Sequence, residues 1–208
     1  MAAMIKNLVF DFGGVIVFLC RESAVKAFES IGLAEAELIL DKYHQRGIFL
    51  ELEEGRISEE QYRSKLGALC HRELSFEEVQ EAWMAFILGV DYELINFLQT
   101  IRDRYKIYIL SNTNPYISLW ACSKDFTPEG KSLDELFDGL YLSFQVGTTK
   151  ADPRIFNELL KKEGLKPEET LFVDDGKANV EAAERLGMHG LHAEVGSDWQ
   201  EELKKITG

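Results

Sequence analysis

Three short apolar runs in this sequence each end at residues that can do chemistry. Ile5 to Phe10 stops at Asp11, with Phe12-Gly13-Gly14 behind it. Ile107 to Leu110 stops at Ser111-Asn112, and Thr170 to Val173 stops at Asp174-Asp175. A fourth polar feature, Lys150, closes the loop Gly147-Thr148-Thr149-Lys150 just ahead of Asp152-Pro153. If the runs are parallel strands, their ends share one edge of a sheet. That edge gathers three carboxylates, a lysine, a hydroxyl and several loop N–H groups. Three clustered carboxylates repel one another and call for a hard, oxygen-ligated cation such as Mg²⁺. Asp11, Asp174 and Asp175 are balanced by a divalent cation and Lys150, so the site can accept a phosphate dianion. Ser111 and the N–H groups of Asn112 and Thr113 are then candidates to bind phosphoryl oxygens. A carboxylate at Asp11 is a reasonable nucleophile toward phosphorus.

The elements that must position these residues are legible in outline. Continuous apolar strands separated by helices predict an α/β fold with a parallel sheet covered on both faces. Gly139 to Leu142 is a weaker strand, and Gly190 to Val195 a last one. Asp152-Pro153 predicts a capped helix running to about Lys162 before Gly164, and Asn179 to Leu186 another closed by Gly187. Ser197-x-x-Gln200 predicts a capping box for a final helix. Residues 17–90 differ: Ser58-x-x-Gln61 and Ser75-x-x-Glu78 are capping boxes, Ala24, Phe28 and Ile31 form a helical stripe, and almost nothing reads as a strand. This predicts a helical cap subdomain over 17–90, inserted into a core of 1–16 and 91–208. An insert directly after a strand's C-terminal end sits over the edge where open parallel sheets bind ligands.

Composition narrows the functions. The chain has 208 residues, 46% hydrophobic and 28% charged, enough for a core without staples. With 36 acidic and 23 basic residues, its formal charge of −13 argues against nucleic acid or an anionic membrane as partner. A small phosphorylated metabolite remains compatible, because a local site can be positive. Cys20, Cys70 and Cys122 form no metal-ligand or disulfide pattern, which fits a reducing cytoplasm. The run after Lys6 is too short for a signal peptide or a membrane span.

Together these residues resemble the haloacid dehalogenase (HAD) superfamily, in its phosphatase branch with a helical cap. The resemblance rests on Val9-Phe10-Asp11-Phe12-Gly13-Gly14-Val15, Ile109-Leu110-Ser111-Asn112-Thr113-Asn114, Lys150-Ala151-Asp152-Pro153 and Phe172-Val173-Asp174-Asp175, in that order. The runs around Leu110 to Asn114, Trp120 and Leu142 to Lys150 are most similar to the subgroup containing α-D-glucose-1-phosphate phosphatases. The resemblance implies a Rossmann-like core and an aspartyl-phosphate formed at Asp11. It implies Mg²⁺ held by Asp11, the Gly13 carbonyl and Asp175, with Asp174 acting through a metal-bound water. Ser111 and Asn112 would hold the phosphoryl oxygens, and Lys150 would offset nucleophile and phosphate charge.

One position departs from that pattern. Most phosphatases of the family carry a second Asp two residues after the nucleophile, as general acid and base. Here it is Gly13. Loss of such a group removes roughly 10²–10⁴-fold of rate. A good leaving group such as an anomeric oxygen, a substrate hydroxyl or a cap residue could compensate; otherwise the chain binds a phosphorylated ligand more than it hydrolyses one. A haloacid dehalogenase is the other alternative, but the acids at 174 and 175 speak for a metal. Glu51, Glu53 and Glu54 read as a solvated face. Trp83, Trp120 and Trp199 read as packing, with Trp120 near enough to the second motif to face the site. For His44, Gln45 and Arg46 substrate contact is the minority reading.

Overall fold

The computed structural model describes residues 4–41 and 45–208; His44 lies outside them. The chain runs β1 (Asn7–Phe10), β2 (Val17–Leu19), α1 (Arg21–Ser30), α2 (Ala36–Ile39), α3 (Gly47–Glu53), α4 (Glu59–Leu69), α5 (Phe76–Met84) and β3 (Ile87–Val90). It continues through α6 (Tyr92–Thr100), β4 (Lys106–Ser111), α7 (Pro115–Ala121), α8 (Leu133–Leu136), β5 (Gly139–Leu142), α9 (Ser143–Val146) and α10 (Pro153–Glu163). A short 3₁₀ turn leads into β6 (Thr170–Asp174), then α11 (Lys177–Arg185), β7 (His189–His192) and α12 (Trp199–Thr207).

Five strands form one parallel sheet in the order β5-β4-β1-β6-β7. Strand alternation sends successive side chains to opposite faces. Leu8, Phe10, Ile107, Ile109, Leu171 and Val173 join one core. Val9, Tyr108, Leu110 and Phe172 join the other, against Ile155, Phe156 and Leu159 of α10 and Ala182 and Ala183 of α11. Both faces are covered, which is why these strands read as unbroken apolar runs. Asp152 caps α10 by accepting from Arg154 N–H, and Gly164 closes it with φ 65°.

Three expectations need correction at this level. Residues 17–90 are not purely helical: β2 and β3 pair antiparallel as a separate ribbon at the mouth of the insert. The final helix has no Ser197 capping box; Ser197 Oγ donates to the Glu194 carbonyl and Asp198 stands at the N-cap. The last strand also stops earlier, at His192. The capping boxes at Ser58/Gln61 and Ser75/Glu78 are both formed.

The helices α1, α3, α4 and α5 close on an aromatic cluster. Phe28 lies 5.3 Å from Phe49 and 5.5 Å from Trp83, and Phe49 lies 5.4 Å from Tyr62, all as ring centroids. Tyr116 of α7 extends the cluster to the other side: it packs on Tyr62 and Phe76, and its hydroxyl donates to Glu59 Oε1 at 2.8 Å. Gly55, after α3, comes so close to the Phe144 carbonyl of α9 that a Cβ there would stand 2.1 Å from its oxygen. These contacts hold the insert down over the C-terminal edge of the sheet. Among the described residues no helix is long and apolar enough to cross a membrane.

Candidate active site

Phe10 pairs with Ile109 on one side and Val173 on the other, so Asp11 stands one residue past the ladder, level with Leu110 and Asp174. Its N–H still donates to the Val173 carbonyl, which fixes the backbone as the strand ends. Asp11 Oδ1 accepts from Phe12 N–H at 2.6 Å and from Lys150 Nζ at 2.7 Å. Lys150 Nζ also donates to Asp174 Oδ2 at 2.7 Å and to the Leu110 carbonyl at 3.0 Å. An ammonium has three donors, and all three are committed here. Asp174 Oδ1 accepts from Gly176 N–H and from Asn179 Nδ2. Asp174 therefore grips Lys150 with one oxygen and is itself gripped through the other.

Lys150 is placed from its backbone too. Asn112 Oδ1 accepts from Lys150 N–H at 2.7 Å, and Asn112 Nδ2 donates to the Lys150 carbonyl at 3.1 Å. Both ends of the Asn112 amide are thus used to hold the loop that carries the lysine. Ser111 is buried and its hydroxyl makes only a long 3.3 Å contact to the Asn112 carbonyl, which a rotation about χ1 would free. Thr113 N–H, expected to face the phosphate, instead donates to Ser143 Oγ at 3.0 Å. It is spent on joining the β4 and β5 edges.

The three carboxylates Asp11, Asp174 and Asp175 each offer an oxygen, and these oxygens lie within 4.8 Å of one another. The backbone passes tightly over Asp175. A Cβ on Gly14 would stand 2.2 Å from Asp175 Oδ2, and Gly14 has φ 85°, so only glycine fits. In this turn Gly14 N–H bonds the Val17 carbonyl and Val17 N–H the Phe12 carbonyl, and the Gly13 carbonyl takes neither bond. Asp11, Asp175 and the Gly13 carbonyl are hard oxygen donors with no thiol or imidazole among them, which suits Mg²⁺.

Burial sets the electrostatics. It pushes Asp11 up, to about 7, against the pull of Lys150 and with the push of Asp174 and Asp175. Burial also opposes the charge of Lys150, but Asp11 and Asp174 outweigh it and raise its pKa. A cation against Asp11 would restore its ionised, nucleophilic form.

A cavity of about 60 Å³ lies over this cluster, lined by Asp11, Gly13, Gln45, Glu53, Lys150 and Asp175. Glu53 is a correction to the sequence reading. It is not part of a solvated face: it is 6% exposed at the end of α3 and lines the same cavity as Asp11. Its signal was present in the spacing, since Phe49, Leu52 and Glu53 fall on one helical stripe. Gln45 is buried against the same cavity, while Arg46 is exposed. Trp120 packs edge-on against Phe126 and does not line the cavity. His192 Nε2 lies 3.0 Å from the Asp175 carbonyl, a backbone role.

Residues 5–187 match the haloacid dehalogenase-like hydrolase family. Over 203 residues, 98% of each chain, the sequence is 50% identical to D-ribitol-5-phosphate phosphatase of Bacteroides thetaiotaomicron. Among solved structures, a HAD-like family hydrolase of Porphyromonas gingivalis superposes with a TM-score of 0.93 at 42% identity, over 98% of each chain. A HAD family enzyme of Bacteroides thetaiotaomicron, crystallised with magnesium and inorganic phosphate, superposes with a TM-score of 0.86 at 31% identity, over 95% of this chain and 98% of that one.

Proposed function

The chain belongs to the haloacid dehalogenase-like hydrolases, and from that premise we propose that it is a Mg²⁺-dependent phosphatase of small phosphorylated polyols and sugars, with Asp11 as nucleophile. The observation that carries this reading is the pinned Asp11: its Oδ1 is held by Lys150 Nζ and Phe12 N–H at the end of β1, beside Asp175. Asp11 attacks phosphorus and becomes an acyl phosphate, which water then hydrolyses. Lys150 offsets the charge that gathers as nucleophile and phosphate meet. Asp174 positions Lys150, Asn112 positions its loop, and Ser111 binds a phosphoryl oxygen. Asp11, the Gly13 carbonyl and Asp175 would hold Mg²⁺, with Asp174 beside them as the partner of Lys150. The ion supplies charge neutralisation at the phosphoryl group.

The 50% identity to a D-ribitol-5-phosphate phosphatase supports an open-chain polyol phosphate as substrate. Its leaving group is a simple alkoxide, poorer than the anomeric oxygen of a sugar 1-phosphate. Residues 17–90 act as a cap. The cavity of about 60 Å³ is far smaller than ordinary small-molecule pockets of roughly 300–1,000 Å³, so the cap opens to admit substrate and closes for chemistry. The charge of −13 and three free cysteines, Cys20, Cys70 and Cys122, support a small-molecule partner and a reducing cytoplasm.

The test is hydrolysis of p-nitrophenyl phosphate, then of D-ribitol 5-phosphate and α-D-glucose 1-phosphate, with Mg²⁺ and with EDTA. Turnover is expected with Mg²⁺ only, absent in Asp11→Asn, and best on the ribitol ester. Folded protein that binds Mg²⁺ and turns over none of the three would contradict the proposal.

A further inference from the structure

The proposed hydrolysis leaves one proton without a source. An alkoxide leaves slowly unless its oxygen is protonated as the O–P bond breaks. Asp11 is occupied as nucleophile. Lys150 has its three donors committed to Asp11, Asp174 and the Leu110 carbonyl. Residue 13 has no side chain, and the place of its Cβ lies 2.9 Å from Leu19 Cδ1. Leu19, from the ribbon, has filled the space where an acid at position 13 would begin.

Among the described residues, one further carboxyl lines the cavity. Glu53 is 6% exposed, lines the space shared by Asp11, Gly13 and Lys150, and forms no hydrogen bond or ion pair among the described residues. An unpaired carboxylate is costly to bury. The groups that act on Glu53 agree with a neutral carboxyl. Burial, then the negative charges of Asp11 and Glu54, push its pKa up to about 8, against the pull of Lys150. The Tyr62 hydroxyl, on α4, brings no charge of its own to Glu53, since burial raises its pKa well above the ordinary value.

We propose that Glu53, carried by the cap, is the general acid and base of phosphoryl transfer, in place of the side chain missing at Gly13. The inference rests on the phosphatase reading above. In the first step the Asp11 O–P bond forms, the ester O–P bond breaks, and the Glu53 proton goes to the leaving oxygen. In the second, water forms its bond to phosphorus, its proton returns to Glu53, and Asp11 leaves as carboxylate. Each step conserves charge, and a cycle ends with alcohol, phosphate and the starting protonation states. Because the acid sits on α3 and the nucleophile on β1, they meet only when the cap is shut. Closure thus assembles the site as well as excluding water.

The experiment compares kcat/KM for D-ribitol 5-phosphate and for p-nitrophenyl phosphate in wild type, Glu53→Gln and Glu53→Asp. kcat/KM reports steps up to formation of the acyl phosphate. The nitrophenolate leaves with little help, so the aryl ester is the internal reference. For Glu53→Gln the alkyl-to-aryl ratio is expected to fall about 10²–10⁴-fold. The fall of wild-type alkyl kcat/KM at high pH, as Glu53 deprotonates, is expected to vanish in the variant. Glu53→Asp, which keeps an acid, is expected to recover part of the ratio. An unchanged ratio in Glu53→Gln, whether both rates drop together or neither drops, would overturn the assignment and leave the phosphatase reading intact. So would a wild type active on the aryl ester alone. A wild type without metal-dependent turnover of either ester would overturn both.

Discussion

At the scale of single residues, the site is organised around one ammonium. Lys150 is 2% exposed, and its charge is held by Asp11 and Asp174 together. The two acids do different jobs because their remaining contacts differ. Asp174 spends its other oxygen on Gly176 and Asn179, whereas Asp11 receives both its contacts on one oxygen. The buried acids also predict a pH dependence of stability. Asp11 and Glu53 have folded-state pKa values near 7 and 8, above their ordinary values of 3.8 and 4.5. Between those limits the folded state holds more protons than the unfolded one, so stability falls as pH rises through the window. In EDTA, denaturant midpoints should be higher near pH ~5.5 than near ~8.5, and Glu53→Gln should flatten part of that slope. A slope as steep in the variant as in wild type would contradict a buried, proton-bearing Glu53.

At the scale of elements, each strand end delivers one piece of chemistry and the insert delivers another. The strand ends were legible because β1, β4 and β6 are buried on both faces, and an apolar run that breaks at Asp11, Ser111 or Asp174 marks the sheet edge. The ribbon was not legible: Val17-Phe18-Leu19 is too short to show alternation, and its partner lies some seventy residues on. Glu53 was hidden by Glu51 and Glu54 beside it, since a run of acids looks solvated unless the Phe49–Leu52–Glu53 stripe is weighed. Asn112 was legible as a polar strand end but not as a clamp, because its partners are backbone atoms of a loop that the sequence places only roughly. The docking of the insert has one tight point, Gly55 against the Phe144 carbonyl, with φ 63°. Gly55→Val is expected to lift the end of α3, misplace Glu53 and cost about 10²-fold in kcat/KM, as roughly 1 Å misplacements do. Circular dichroism and steady-state kinetics check this; unchanged kinetics in a folded variant would show that α3 does not set the closed geometry.

At the scale of the whole molecule, a negative protein carries a site whose local charges are arranged to be completed by a cation and a phosphate. The sheet supplies a rigid row of strand ends, and the aromatic cluster of Phe28, Phe49, Tyr62 and Trp83 makes the insert one unit, which Tyr116 of α7 ties to the sheet domain. Every part of the account converges on a covalent bond between phosphorus and Asp11. The most direct measurement is therefore to quench wild type and Glu53→Gln during turnover of p-nitrophenyl phosphate with Mg²⁺, and to map the phosphoryl group by peptide mass spectrometry. The account predicts a hydroxylamine-labile acyl phosphate on Asp11, more abundant in Glu53→Gln and absent with EDTA or in Asp11→Asn. A phosphoryl group on another residue, or turnover that persists in Asp11→Asn, would contradict it.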